Sequence, residues 1–221
     1  MKKLLFLFVL ILQNTVSAQT YYDVDNNKID KPTFDKFLLD KQQYYYVEND
    51  SLKAFKLMYR YNRGEKGSLS DSANLFKTLN EKLNLNLDPD KPLIIYYYPG
   101  KDPCNSTGTA TRKSKIQWDK ELQKKVEKVA DVNVLRIYKN KEGIETISDY
   151  DWKKDPNALI ENLFFNYHYG CGSFAIINKD KYAAFFGEYG HNQVVESLKE
   201  TYLKNKIAPK GDFITLNLII I

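Results

Sequence analysis

Leu93-Ile94-Ile95-Tyr96-Tyr97-Tyr98-Pro99-Gly100-Lys101-Asp102-Pro103-Cys104 is the stretch on which the reading of this chain turns. Its first six residues form an unbroken apolar and aromatic run that stops at Pro99-Gly100. A run of that length bounded by turn residues predicts a buried strand, and the polar loop after it delivers a cysteine to the edge of a sheet. The only other cysteine, Cys171, stands just before Ser173-Phe174-Ala175-Ile176-Ile177, the next strongly hydrophobic strand candidate. Two cysteines at the ends of two buried strands are the sharpest chemical feature of the sequence.

Downstream of Cys104, Asn105 to Thr109 reads as a polar loop. Trp118, Leu122, Val126 and Val129 then mark an amphipathic helix whose charged face accounts for its lysines. Val132 to Tyr138 is a second core strand, followed by a turn at Asn140 to Gly143. Asp155-Pro156-Asn157 can start a helix over Ala158 to Tyr167. Gly170-Cys171-Gly172 breaks the chain before the Ser173–Ile177 strand, which a tight turn joins to Tyr182–Phe186 as a hairpin. A terminal helix follows over Gln193 to Tyr202, and the apolar tail Phe213 to Ile221 reads as a strand or a packed extension.

Upstream, Leu75, Leu79 and Leu83 share one face of a helix over Ser72 to Leu83, capped by Ser70 or Asp71. Tyr44–Val47 and Lys53–Arg60 read as partner strands, and Arg60 to Gly67 as an exposed basic loop. Asp23, Asp25 and Asn27 alternate as the first ligands of a calcium loop do. Lys28 stands in place of the turn glycine and no glutamate fills the twelfth position, so the segment reads as a solvated turn before a short helix from Pro32.

Lys2-Lys3, the apolar segment Leu4 to Leu12 and Val16-Ser17-Ala18 have the make-up of a Sec-type signal peptide cleaved after Ala18. Export to the periplasm or outside the cell is therefore expected, with no stable membrane span after cleavage. The expected organisation is a signal peptide over residues 1–18, an N-terminal extension over 19–90, a central domain over 91–205 and a C-terminal strand or tail over 206–221. The formal charge of +5 falls to about +3 without the two leading lysines. That is too mild to point to nucleic acid.

From Leu93 to Tyr202 the order is strand, cysteine loop, helix, strand, helix, strand, hairpin partner, helix. This order resembles the thioredoxin-like family, and Cys171-Gly172-Ser173 running into the hairpin and last helix carries most of the likeness. It is also loosely similar to exported thioredoxin-fold proteins of the Bacteroidetes group. The resemblance implies an α/β fold, a thioredoxin-like central mixed sheet flanked by helices, here with an N-terminal α/β extension. It departs from the family at both signature positions. Lys101 stands where the first cysteine of Cys-x-x-Cys is expected, with Cys104 matching the second, and Gly172 stands where the family has a cis-proline.

In the family fold the two cysteine loops lie side by side, which leaves three readings for Cys104 and Cys171: a buried structural disulfide, a redox-active pair, or separate thiols. A reactive Cys104 needs nearby positive charge, for which Lys101 and Arg112 are the local candidates while Asp102 opposes them. His168 is close enough in sequence to Cys171 to raise a base–thiol pairing, and His191 reads as flanking the last helix. No metal-ligand spacing, phosphate loop or hydrolase elbow is present, so no cofactor and no metal are expected. The missing signature residues point to a non-catalytic binding or structural module with a protein or peptide partner. The alternative is a thiol–disulfide oxidoreductase or redox sensor using Cys104 and Cys171.

Overall fold

The computed structural model describes residues 19–49, 51–144, 150–207 and 214–216. The expected signal segment lies outside them, as does most of the apolar tail. The first strands are β1 (Thr20–Tyr22) and β2 (Lys28–Ile29), then α1 (Lys31–Phe37), β3 (Tyr44–Asn49), β4 (Ala54–Tyr59), β5 (Gly64–Leu69) and α2 (Ser72–Leu83). There follow β6 (Leu93–Tyr98), α3 (Pro103–Ser106), α4 (Arg112–Glu127), β7 (Asn133–Tyr138), β8 (Trp152–Lys154) and α5 (Leu159–Phe164). The described chain closes with β9 (Ser173–Asn178), β10 (Lys181–Phe185), α6 (His191–Ile207) and β11 (Ile214–Leu216).

The strands form a seven-stranded sheet ordered β11-β5-β10-β9-β6-β7-β8 and a four-stranded sheet ordered β2-β1-β4-β3. The architecture is α/β, with mixed sheets flanked by helices and an N-terminal extension. β6 pairs in parallel with β7 and antiparallel with β9, and β10 returns antiparallel to β9. All six residues of β6 are buried because helices cover both faces of the sheet. Strand alternation divides them: Leu93, Ile95 and Tyr97 join one core with Leu75, Leu79 and Phe165. Ile94 and Tyr96 join the other, with Leu122, Val126, Val194 and Leu198 of α4 and α6.

Local chemistry explains most boundaries. Asp30 caps α1 by accepting from the Thr33 amide at 2.9 Å, with Pro32 in the first turn. Asp71 caps α2 by accepting from the Asn74 amide at 2.9 Å, and Asn84 ends the helix in a left-handed conformation. Asp23 turns its carboxylate onto its own loop, accepting from the amides of Asp25 and Asn27 at 2.9 and 2.8 Å.

Two expectations are corrected. Arg60–Gly67 is not an exposed loop throughout, since Gly64–Leu69 forms β5 inside the large sheet, in register with β10 from Lys181↔Ser68 to Phe185↔Gly64. The helix expected over Ala158–Tyr167 is shorter, starting at Leu159 and ending at Phe164. Asn157 and Ala158 both adopt left-handed backbone angles, which no α-helix tolerates.

Candidate functional site

The chain leaves β6 through Pro99-Gly100 and is caught at once by Asp102. One oxygen of the Asp102 carboxylate accepts from the Asn105 amide at 2.8 Å, while the Asn105 side chain accepts from the Asp102 amide at 3.0 Å. This reciprocal cap starts α3 and sets Cys104 in its first turn. The other Asp102 oxygen accepts from the backbone N–H of Cys171 at 3.0 Å. A single buried carboxylate thus ties together loops that are 69 residues apart in sequence.

Held in this way, Cys104 and Cys171 are joined as a disulfide, with Cα atoms 5.0 Å apart. Cys104 is exposed and Cys171 half-buried, so the bond faces solvent. Cys171 has φ of 70°, a left-handed conformation unusual for a residue with a side chain. Gly172 follows at φ +150°, where an added Cβ would sit 3.1 Å from the Tyr97 carbonyl oxygen. Glycine is needed there because the loop runs against β6 and turns in a way that side chains oppose. Among the described residues every peptide bond is trans.

The expected helpers are arranged differently from the sequence reading. The nearest charged partner of His168 is Asp102, at 3.5 Å from its Nε2, which makes it a neighbour of the buried carboxylate and not a base on the sulfur. His191 opens α6 with Nε2 3.0 Å from the Trp118 carbonyl oxygen. Lys101 turns toward Glu142, at 3.6 Å.

Glu188 was not singled out by the sequence. Its carboxylate and the two sulfurs lie within 4.8 Å of one another. Opened to thiolates, this trio presents two soft sulfur donors and one oxygen, a set that suits a borderline ion such as zinc; as a disulfide it has no anionic sulfur to offer.

Beside the bond opens a cavity of about 400 Å³ whose edge includes Cys171 and Gly172. Tyr96, Trp118, Trp152 and Tyr189 wall it, and Asp119 of α4 and Arg136 of β7 supply opposite charges. The Arg136 guanidinium stacks on the Tyr150 ring at 3.8 Å and lies 5.4 Å from the centre of Tyr96. Burial pushes the Asp119 carboxyl above its ordinary pKa, against the pull of Arg136 and His191. Neither charge was legible as a site residue. Each sits inside a helix or strand whose pattern already accounts for a polar residue, and only the tertiary fold turns them to one hollow.

No protein-family model matches the chain, no curated protein matches it, and no solved structure matches it. The molecule is therefore described by its own features: an α/β topology in which two non-adjacent cysteines form a disulfide. Among the described residues no helix is long and apolar enough to cross a membrane.

The expectation of a non-catalytic binding or structural module is overturned by this geometry. The cysteines are paired, one of the two residues is exposed, and with Glu188 they form a cluster of potential metal ligands, so the site keeps its reactive groups and is not a degenerate one.

Proposed function

We propose that this chain is an exported thiol–disulfide oxidoreductase or redox sensor of thioredoxin-like design, with Cys104 and Cys171 as the exchanging pair. The observation that carries the reading is the solvent-facing Cys104–Cys171 bond at the rim of a cavity. A structural disulfide gains most by being shielded, whereas an exchanging one must admit a thiolate in line with the bond. The order of elements from β6 to α6 supports the thioredoxin-like reading, and the basic, apolar, small-residue leader supports export. On this reading residues 91–205 form the redox unit, and 19–90 are an extension that lends β5 to the large sheet.

An incoming thiolate attacks one sulfur, a substrate–protein S–S bond forms, the Cys104–Cys171 bond breaks, and the other cysteine leaves as a thiolate. A second substrate thiolate attacks the substrate sulfur of that mixed disulfide. The products are a substrate disulfide and the dithiol protein, so two electrons pass from two thiols to the protein, and the thiol protons pass through solvent to the cysteines. Cys104, the more exposed of the two, is the better leaving group because its thiolate keeps its hydration. The partner is a thiol or disulfide; protein, peptide and small molecule all meet that requirement, and the cavity beside the bond favours one of them.

Cys104→Ser tests the assignment. The variant should lose catalytic exchange while Cys171 accumulates a mixed disulfide with added thiol-reactive disulfide, visible by intact mass. Exchange at the wild-type rate would contradict it.

A further inference from the structure

Arg136 and Asp119 are the unusual pair in this molecule. Both line the cavity beside Cys171, yet among the described residues neither has a hydrogen-bond or ion-pair partner. They are near enough to attract one another but do not meet in an ion pair. Arg136 lies over the Tyr150 and Tyr96 rings, contacts that do not use its N–H donors. Two opposite charges that attract across the hollow without closing into an ion pair leave hydrogen-bonding capacity on both sides of it. A ligand carrying one carboxylate and one ammonium group answers both.

We propose that the cavity is the substrate subsite of the exchange reaction and takes a low-molecular-weight disulfide with amino-acid heads, of the cystine type. This rests on the exchange reading of Cys104 and Cys171. The ligand carboxylate meets Arg136, its ammonium group meets Asp119 and the aromatic faces, and its sulfur lies toward Cys171 at the cavity edge. The hollow, about 400 Å³, is within the size class of small-molecule sites. In the direction that oxidises the protein, the Cys171 thiolate of the dithiol form attacks the substrate S–S bond and releases one amino-acid thiol. Cys104 then attacks Cys171 in the mixed disulfide and releases the second. The small disulfide is the oxidant, two electrons leave the protein, and the two cysteine protons end on the two released thiols.

Three disulfides that differ only in their heads separate this from generic reactivity: L-cystine with both charges, cystamine with the ammonium alone and 3,3′-dithiodipropionate with the carboxylate alone. Reduced, desalted protein is mixed with each, and reoxidation is followed by alkylation and intact mass. L-Cystine should react about tenfold or more faster than either single-headed probe, the span of one lost charge-assisted hydrogen bond. Arg136→Gln should lower the cystine-to-cystamine rate ratio, and Asp119→Asn the cystine-to-dithiodipropionate ratio, each about tenfold. L-Cystathionine, a thioether that cannot exchange, should bind and quench the fluorescence of Trp118 and Trp152, which line the cavity. Equal rates for the three probes, or no response to cystathionine, would overturn the subsite while leaving exchange intact. Cystathionine binding without reoxidation by any disulfide would overturn the exchange reading and leave the cavity as a zwitterion site.

Discussion

Asp102 sets the geometry of the pair. Its side chain is 5% exposed, yet it accepts from the amides of Asn105 and Cys171 and adjoins His168. Removing it strips the cap from α3 and leaves the Cys171 N–H without its acceptor, a combined cost of about 2 kcal/mol. Asp102→Ala should therefore lower the unfolding free energy of the oxidised protein by about that amount in chemical denaturation. A loss below about 0.5 kcal/mol, the range of ordinary surface substitutions, would show that the two loops are held by something else. The sequence did contain a signal here. Asp102, Pro103 and Asn105 have the spacing of a helix start, although in the sequence the charge of Asp102 reads as an opponent of thiolate formation. Its reach to Cys171 was not legible, because it depends on two loops meeting in space.

At the scale of elements, legibility followed hydrophobic pattern. β6, β7, β9, β10 and α2 stand where apolar runs and helical spacing put them. β5 was hidden because Gly64-Glu65-Lys66-Gly67 carries glycines and charges that read as loop. In the sheet those polar side chains find partners: Tyr182 donates to Glu65 at 2.6 Å, and Lys66 pairs with Glu200 at 2.5 Å. β8 was missed because Trp152-Lys153-Lys154 is too short to show alternation. The cavity had no linear signature at all, since its walls come from β6, α4, β7, β8 and the segment after β10.

The late start of α5 has its own chemistry. Asp155, buried, accepts from the amides of Ile160 and Glu161 at 3.0 and 2.8 Å. Burial pushes its carboxyl up to about 6, and the two amide hydrogen bonds only partly oppose this. Because the folded value lies above the unfolded one, the folded state holds the proton more tightly. The resulting stabilisation is complete below about pH 4 and is lost as pH rises through about 6, with a size on the order of 2 kcal/mol. Asp155→Asn cannot titrate, so the stability difference between wild type and variant should shrink by about that amount from pH 4 to pH 7 in denaturant melts. A difference that is constant with pH would contradict this assignment.

For the whole molecule, the disulfide joins residues 67 positions apart in sequence, between the rim of β6 and the entry to β9. By loop entropy alone that closure stabilises the fold by about 4 kcal/mol. The left-handed Cys171 returns part of it, on the order of 1 kcal/mol. Reduced protein should stay folded, because the two cores on either side of β6 do not depend on the bond, but it should unfold at a lower denaturant concentration, with a stability loss of about 3 kcal/mol. Collapse of the fold on reduction would mean that the bond is a staple and not an exchanging couple. The most direct test of the central claim is the reduction potential of the Cys104–Cys171 pair, measured by equilibrating the protein in glutathione buffers, alkylating and reading intact mass. The expected midpoint lies in the range of catalytic and regulatory pairs, between about −120 and −270 mV. A midpoint below about −300 mV, where structural disulfides of secreted proteins lie, would contradict it.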